Sequence, residues 1–336
     1  MKNACGTVQA KIGFMRTIPG YLLAIVAVLA PVVALGGGTA AARPKILGDA
    51  HFAIYEGDLA KARAFYEEFL GFAEPYSLKT PDGSRDQMAF IKINDYQYVE
   101  LSADQPKGPD GALSHIAFYT NDAEAMRQYL AGQGIKVPEK VPVGRIGNAN
   151  FMIKDPDGHS VEIVQYLPDS WAMRNKGEFM PDTRISDHMM HFGVTVANLA
   201  DSTTFYHGIL GFNEFWRGTR NPAYLSWVNM RVPEGQDYLE LMLYKTYPNA
   251  TQLGTMNHIC LMVPSVEKAV ETLKSRPYFA TYGRELKIAT GVNRKRQVNL
   301  YDPSGTRIEL MEPNTIDGQP APSSNAPPPV GERPGQ

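Results

Sequence analysis

Four histidines and four glutamates stand at matching places in this 336-residue chain: His51 with Glu100, His115 with Glu162, His191 with Glu240, and His258 with Glu309. Each His sits in an alternating apolar stretch such as Ala50-His51-Phe52-Ala53-Ile54-Tyr55, and each Glu in another, such as Tyr98-Val99-Glu100-Leu101. Taken singly, either residue is ordinary strand chemistry: a hydrogen-bonded imidazole, or a carboxylate on a wet sheet face. Repetition changes the reading. Two imidazoles and two carboxylates gathered at one centre are costly to bury unless a cation binds them. His with carboxylate suits divalent first-row metals, among them Fe, Ni, Zn and Mn. Four protein ligands leave an octahedral ion two positions for water or substrate. One or two such ions are therefore expected.

The elements that must position these groups also repeat. After the His51 strand, Asp58 opens a helical pattern through Ala62, Phe65, Tyr66 and Phe69 that closes near Gly71. The same order returns 140 positions later, with His191, Asp201, Phe205, Tyr206 and Gly211. A second pair of units follows. His115 and His258 each precede a helical pattern, over 123–131 and 266–274, and each unit ends on an Asp-Pro-x-Gly turn, at Asp155 and Asp302. Each unit reads as a strand, a helix and about three further strands. Such a unit covers only one sheet face, so units must pair to close a core. The expected fold is α+β: four strand–helix–three-strand modules paired into two domains, residues 45–168 and 186–315, with mainly antiparallel curved sheets. Pairing within halves or across them supplies the same two His and two Glu.

The ends differ from this body. Residues 1–42 hold Lys2, Lys11 and Arg16, no acidic residue, an apolar run over 21–35 interrupted by Pro31, and small residues up to Ala42. That is the pattern of a cleaved signal peptide, which predicts a secreted or periplasmic protein with no stable membrane span. Residues 316–336 are rich in Pro, Ser and Gly and read as a disordered tail. With 33 Lys+Arg against 35 Asp+Glu, nothing favours nucleic-acid binding. Two Cys exclude a disulfide scaffold or a four-thiolate zinc site. Cys260 reads as a small buried apolar residue. His159, His188 and His207 match no ligand position, Arg294-Lys295-Arg296 reads as a solvated loop, and Trp171, Trp216 and Trp227 fall outside the ligand strands.

On the stretches "HFAIYEGDLAKARAFYEEFLGF", "LSHIAFYT", "KDPDGHSVEIVQ" and "NLYDPSGTRIELME", the chain resembles the vicinal oxygen chelate superfamily, which includes glyoxalase I, type I extradiol dioxygenases and the bleomycin-resistance proteins. The resemblance implies βαβββ modules paired into incomplete barrels, a divalent metal, and a small substrate chelated through two neighbouring oxygens. The His-Glu-His-Glu order is similar to bacterial glyoxalase I. That implies metal ligands at His51, Glu100, His115 and Glu162, and again at His191, Glu240, His258 and Glu309. It also implies a lyase or isomerase reaction in which the metal stabilises an enediolate and a Glu, Glu162 or Glu309, moves the proton.

Two departures bear on this. The Arg expected four residues after the first ligand, to hold glutathione, is Tyr55 in one half and Thr195 in the other. The extradiol dioxygenases offer an alternative, with Fe(II) at His191, His258 and Glu309. Their expected Tyr is Asn299 here, and no His lies between His258 and Asp302. A second alternative is a non-catalytic small-molecule binder of the bleomycin-resistance type.

Overall fold

The computed structural model describes residues 42–105 and 109–333. The expected signal peptide lies outside the described residues, save Ala42. Seven strands form a first sheet: β1 (Ile46–Tyr55), β2 (Ala73–Lys79), β3 (Asp86–Lys92), β4 (Tyr98–Ser102), β5 (Leu113–Thr120), β6 (Ala149–Lys154) and β7 (Ser160–Gln165), in the order β2-β3-β4-β1-β5-β7-β6. Eight form a second: β8 (His188–Val196), β9 (Asn213–Gly218), β10 (Trp227–Arg231), β11 (Tyr238–Leu243), β12 (His258–Met262), β13 (Ala289–Thr290), β14 (Lys295–Tyr301) and β15 (Arg307–Thr315), in the order β13-β14-β15-β12-β8-β11-β10-β9.

In each sheet the first strands of two units lie antiparallel at the centre, β1 beside β5 and β8 beside β12. Each of these also pairs in parallel with the last strand of its own unit. Strand pairing therefore closes within each half. Period-two alternation sorts the two faces. Phe52 and Ile54 turn fully buried side chains towards the helices, while His51 and Ala53 face the other way.

The helices start where the sequence places a cap. The Asp58 carboxylate accepts from the Ala60 and Lys61 amides at 3.1 and 3.2 Å, and Asn198 caps the equivalent helix. Such a cap contributes about 1 kcal/mol. Both helices widen into a π-type turn, over Ala64–Phe69 and Thr204–Ile209. They end at Gly71 and Gly211, whose φ of +75° and +80° suits glycine. Across the two halves these helices interlock. The Tyr66 hydroxyl donates to Asp302 of the fourth unit, and the Tyr206 hydroxyl to Asp155 of the second, both at 2.9 Å. Phe69 stacks on Tyr278 of the fourth unit, with ring centroids 5.1 Å apart. Phe52 and Phe118 of the first sheet meet Phe192 of the second at 5.7 and 5.9 Å, within one continuous apolar core.

Two expectations need correction. The second unit has two strands after its helix rather than three, because residues 135–148 make only a single bridge, Val143 to Ala149. Pro138 and Pro142 in that segment have no amide to donate to a ladder. The Pro-rich segment expected to be a disordered tail instead lies along the second half as far as Arg333. Gly331 donates to the Ala197 carbonyl at 2.8 Å, and the Pro327 and Pro322 carbonyls accept from the Leu225 amide and the Trp216 indole. Arg333 pairs with Asp157 and Asp201, each at 3.0 Å. Proline removes donors but not acceptors, and composition does not reveal free amides waiting nearby. Among the described residues no helix is long and apolar enough to cross a membrane.

Candidate metal centres

Strands β1, β4, β5 and β7 bring His51, Glu100, His115 and Glu162 together on the face opposite the helices, each less than 10% exposed. The Nε2 atoms of His51 and His115 are 3.1 Å apart. Glu162 lies 3.5 Å from the first and 3.2 Å from the second, and Glu100 lies 3.6 and 3.5 Å away. Small cross-strand partners leave room for this: Ala53 is opposite His115, and Ala117 is opposite Glu162. Glu162 is held by the Asn150 amide, which donates to it at 2.7 Å, whereas among the described residues Glu100 makes only the longer contacts to the two imidazoles.

Burial alone would raise the Glu162 carboxyl, but His51 and His115 outweigh it and hold it well below the usual carboxylate range. Burial also works against charge on His51, where Glu100 and Glu162 prevail and raise its pKa. On Glu100 burial prevails over the two imidazoles, and its pKa is raised.

One donor atom each from His51, His115 and Glu162 lies within 4.8 Å of the others, and the same holds for His191, His258 and Glu309. Ligand distances of about 2.0–2.2 Å put adjacent donors of one metal about 3 Å apart, close to the spacing here. Both triads have the donor chemistry to hold a divalent ion. A row of rings leads to the first: Tyr98 stacks on His51 at 4.7 Å, Phe90 lies against Tyr98, Tyr76 stacks on Phe90, and Trp171 stacks on Tyr76 at 5.1 Å. Trp171 thus gains a place that its sequence position did not indicate.

The second cluster repeats the plan with different neighbours. His191 and His258 approach at 3.1 Å between Nε2 atoms. Glu309 lies 3.6 Å from each, and Glu240 3.7 Å from His258. Gly193 stands where the first half has Ala53, and His258 leans over it so closely that a Cβ there would lie 2.0 Å from the ring. The Arg307 Nη2 lies 2.7 Å from His258 Nε2. Burial, then the Arg307 charge, lowers the His258 pKa. Burial and the neighbouring Glu309 push Glu240 up to about 8. Glu309, where burial is outweighed by Arg307 and His258, goes down to about 2. Trp216 and Trp227 line the cavity over this cluster.

The remaining sequence candidates fall outside both centres. His159 is buried between Asp110, at 3.0 Å, and the Thr195 carbonyl, at 2.7 Å. His188 is half-buried and pairs with Asp237 at 2.8 Å, and His207 faces the Phe212 carbonyl at 2.6 Å. Cys260 is fully buried and unpaired, and burial pushes its thiol up, as suits an apolar residue. Of the basic stretch, Arg294 and Arg296 are solvent-facing partners of Asp317 and Glu267. Lys295 instead turns inward beside Asn229 and Tyr238, lining a cavity, and burial lowers its pKa. Strand alternation separates it from its neighbours, which the charge run conceals.

The model of the Glyoxalase/Bleomycin resistance protein/Dioxygenase superfamily matches residues 50–163 and 188–310. The chain belongs to that superfamily. A curated relative is glyoxalase I of Saccharomyces cerevisiae (strain ATCC 204508 / S288c), 25% identical over 223 residues that make up 60% of this chain and 64% of the relative, just under two thirds of its length. Among solved structures, the 2,3-dioxygenase LapB from Pseudomonas sp. KL28 aligns with a TM-score of 0.61 and 17% identity, covering 83% of this chain and 97% of that one. The Mn(II)-bound glyoxalase from Novosphingobium aromaticivorans aligns with a TM-score of 0.60 and 18% identity, covering 80% and 83%. At such identities the solved structures establish the shared fold alone. The relatives of this superfamily member include both glyoxalases and ring-cleaving dioxygenases.

Proposed function

We propose that the chain is a metal-dependent enzyme of glyoxalase type, moving a proton between adjacent carbons of a small substrate held through two neighbouring oxygens. The observation that carries this reading is the first-half cluster, two imidazoles and two carboxylates with no arginine or lysine among the contacts described for them. His51, His115 and Glu162 are the residues that would hold the ion, which when bound supplies Lewis-acid polarisation of the substrate oxygens. The carboxylates take separate roles, as their surroundings drive their proton affinities apart. Glu162, fixed by Asn150, acts as a ligand. Glu100, without such an anchor, takes the proton from one carbon and returns it to the next. This moves the proton-carrying role from Glu162 on β7 to Glu100 on β4, across the central strands β1 and β5. The ring row from Tyr98 to Trp171 packs against His51 beside the site.

The test is incubation of the metal-loaded protein with small 2-oxoaldehydes and α-hydroxyketones in deuterated water. Deuterium entering the carbon beside the carbonyl, with no oxygen consumed, supports the reading. Oxygen uptake with catechols under Fe(II) loading, without that exchange, overturns it in favour of ring cleavage. We also propose that residues 1–42 direct export, since Lys2, Lys11 and Arg16 precede an apolar run and a small-residue site. N-terminal sequencing of the mature protein should then begin near Ala42, and an intact Met1 in the mature protein overturns it.

A further inference from the structure

Arg307 stands two positions before Glu309 on β15, so alternation sends its side chain to the same face as that carboxylate. The side chain is buried, lines one cavity with Glu240 and Glu309, and reaches His258. The His258 Nδ1 lies 2.8 Å from the Met256 carbonyl, an acceptor only, so Nδ1 carries the proton and Nε2 keeps a single lone pair. Arginine has donors only and stays charged. The 2.7 Å contact is therefore an Arg307 N–H donating to His258 Nε2. That lone pair is the one a metal would need, and it serves one partner at a time. In the first half the residue after the Asp-Pro-x-Gly turn that matches Arg307 is Ser160, which accepts from Lys154 at 2.8 Å, and among the described residues His115 has no such donor.

We infer that Arg307 is the resident cation of the second cluster. Its guanidinium engages His258 and offsets the paired Glu240 and Glu309 in place of a divalent ion, so each chain binds one metal tightly, in the first half. The two clusters look alike as lists of ligands and differ in what fills them. The single-metal stoichiometry rests on the reading of the first half given above; the role of Arg307 does not.

The experiment titrates Mn(II) into the metal-stripped full chain, counting bound ions by electron paramagnetic resonance and elemental analysis. The wild type should bind one ion per chain, and Arg307→Ser, which copies the first half, should bind two. His115→Ala should bind none, and the double variant one, with at least a hundredfold gain in second-site affinity over His115→Ala alone. Arg307→Met, closer in volume, serves if the Ser variant does not fold, with far-ultraviolet circular dichroism as the check. Two ions on the wild type, or one on the wild type and still only one on a folded Arg307 variant, overturn the inference. No ion on the wild type but one on Arg307→Ser supports the role of Arg307 and overturns the first-half reading, so the two failures are distinguishable.

Discussion

The Tyr66 hydroxyl donates to the Asp302 carboxylate at 2.9 Å across 236 positions of sequence, joining the helix of the first unit to the last turn of the fourth. Both groups are buried, and Asp302 also accepts from the Ser304 and Thr306 amides. Tyr66→Phe takes one donor from a buried carboxylate and should cost about 1–3 kcal/mol. Chemical denaturation should show this as an earlier midpoint with one transition for both halves, because the core is continuous. Two resolved transitions would mean the halves unfold independently.

Glu100 and Glu162 should separate in their effects. Glu162→Gln replaces an anionic ligand and should lower both metal occupancy and turnover. Glu100→Gln should keep the metal and lose turnover by about 10²–10⁴, the usual range for removing a general base. Elemental analysis alongside the deuterium-exchange assay checks both. Loss of metal from Glu100→Gln would make Glu100 a ligand instead.

Gly193→Ala places a methyl 2.0 Å from the His258 ring and 2.8 Å from the Met256 carbonyl. The ring must swing away and give up its bond to Met256. The expected cost is about 1–3 kcal/mol, as for other overpacked interiors. Proton exchange at the first-half site should persist. An unchanged melting temperature would show that His258 relaxes freely.

His159 sets a pH dependence of stability. Burial works against its charge, but Asp155 and Asp110 outweigh it and raise its pKa to about 10. A folded pKa above the unfolded value of about 6.5 stabilises the fold fully below that unfolded value, and the contribution is lost as pH rises towards 10. Melting temperature should therefore fall between pH 6.5 and 10, and His159→Gln should flatten that slope. Asp157, Tyr206 and Arg333 surround the same turn and are unchanged in the variant. An equal slope in wild type and variant would remove His159 as the cause.

The sequence showed the repeat, the helix caps at Asp58 and the positions of all eight His and Glu because each obeys a local rule, alternation or capping. It left open whether units pair within halves. The answer has two parts, strands within and helices across, and no local pattern encodes it. Arg307 lies on the Glu309 face by simple alternation, a signal that was present but hidden behind the more conspicuous run Arg294-Lys295-Arg296. The ring row could not be seen, since Tyr76, Phe90, Tyr98 and Trp171 meet only through three strands and a connecting segment. Nothing local in the sequence marks Gly193, because the His258 ring that lies on it comes from another strand, 65 positions away.

The reciprocal contacts Tyr66–Asp302 and Tyr206–Asp155 have the form of a twofold interface, in which one patch meets its own copy. Here both patches belong to one polypeptide, so contacts of the kind that join two protomers are made within a single chain. A homodimer encoded by one short gene must change both of its centres with every substitution. Fusion removes that tie: Ser160 and Arg307, Ala53 and Gly193, or Ala117 and Cys260 can differ while the shared interior stays matched. One centre is then free to diverge while its twin keeps the original chemistry.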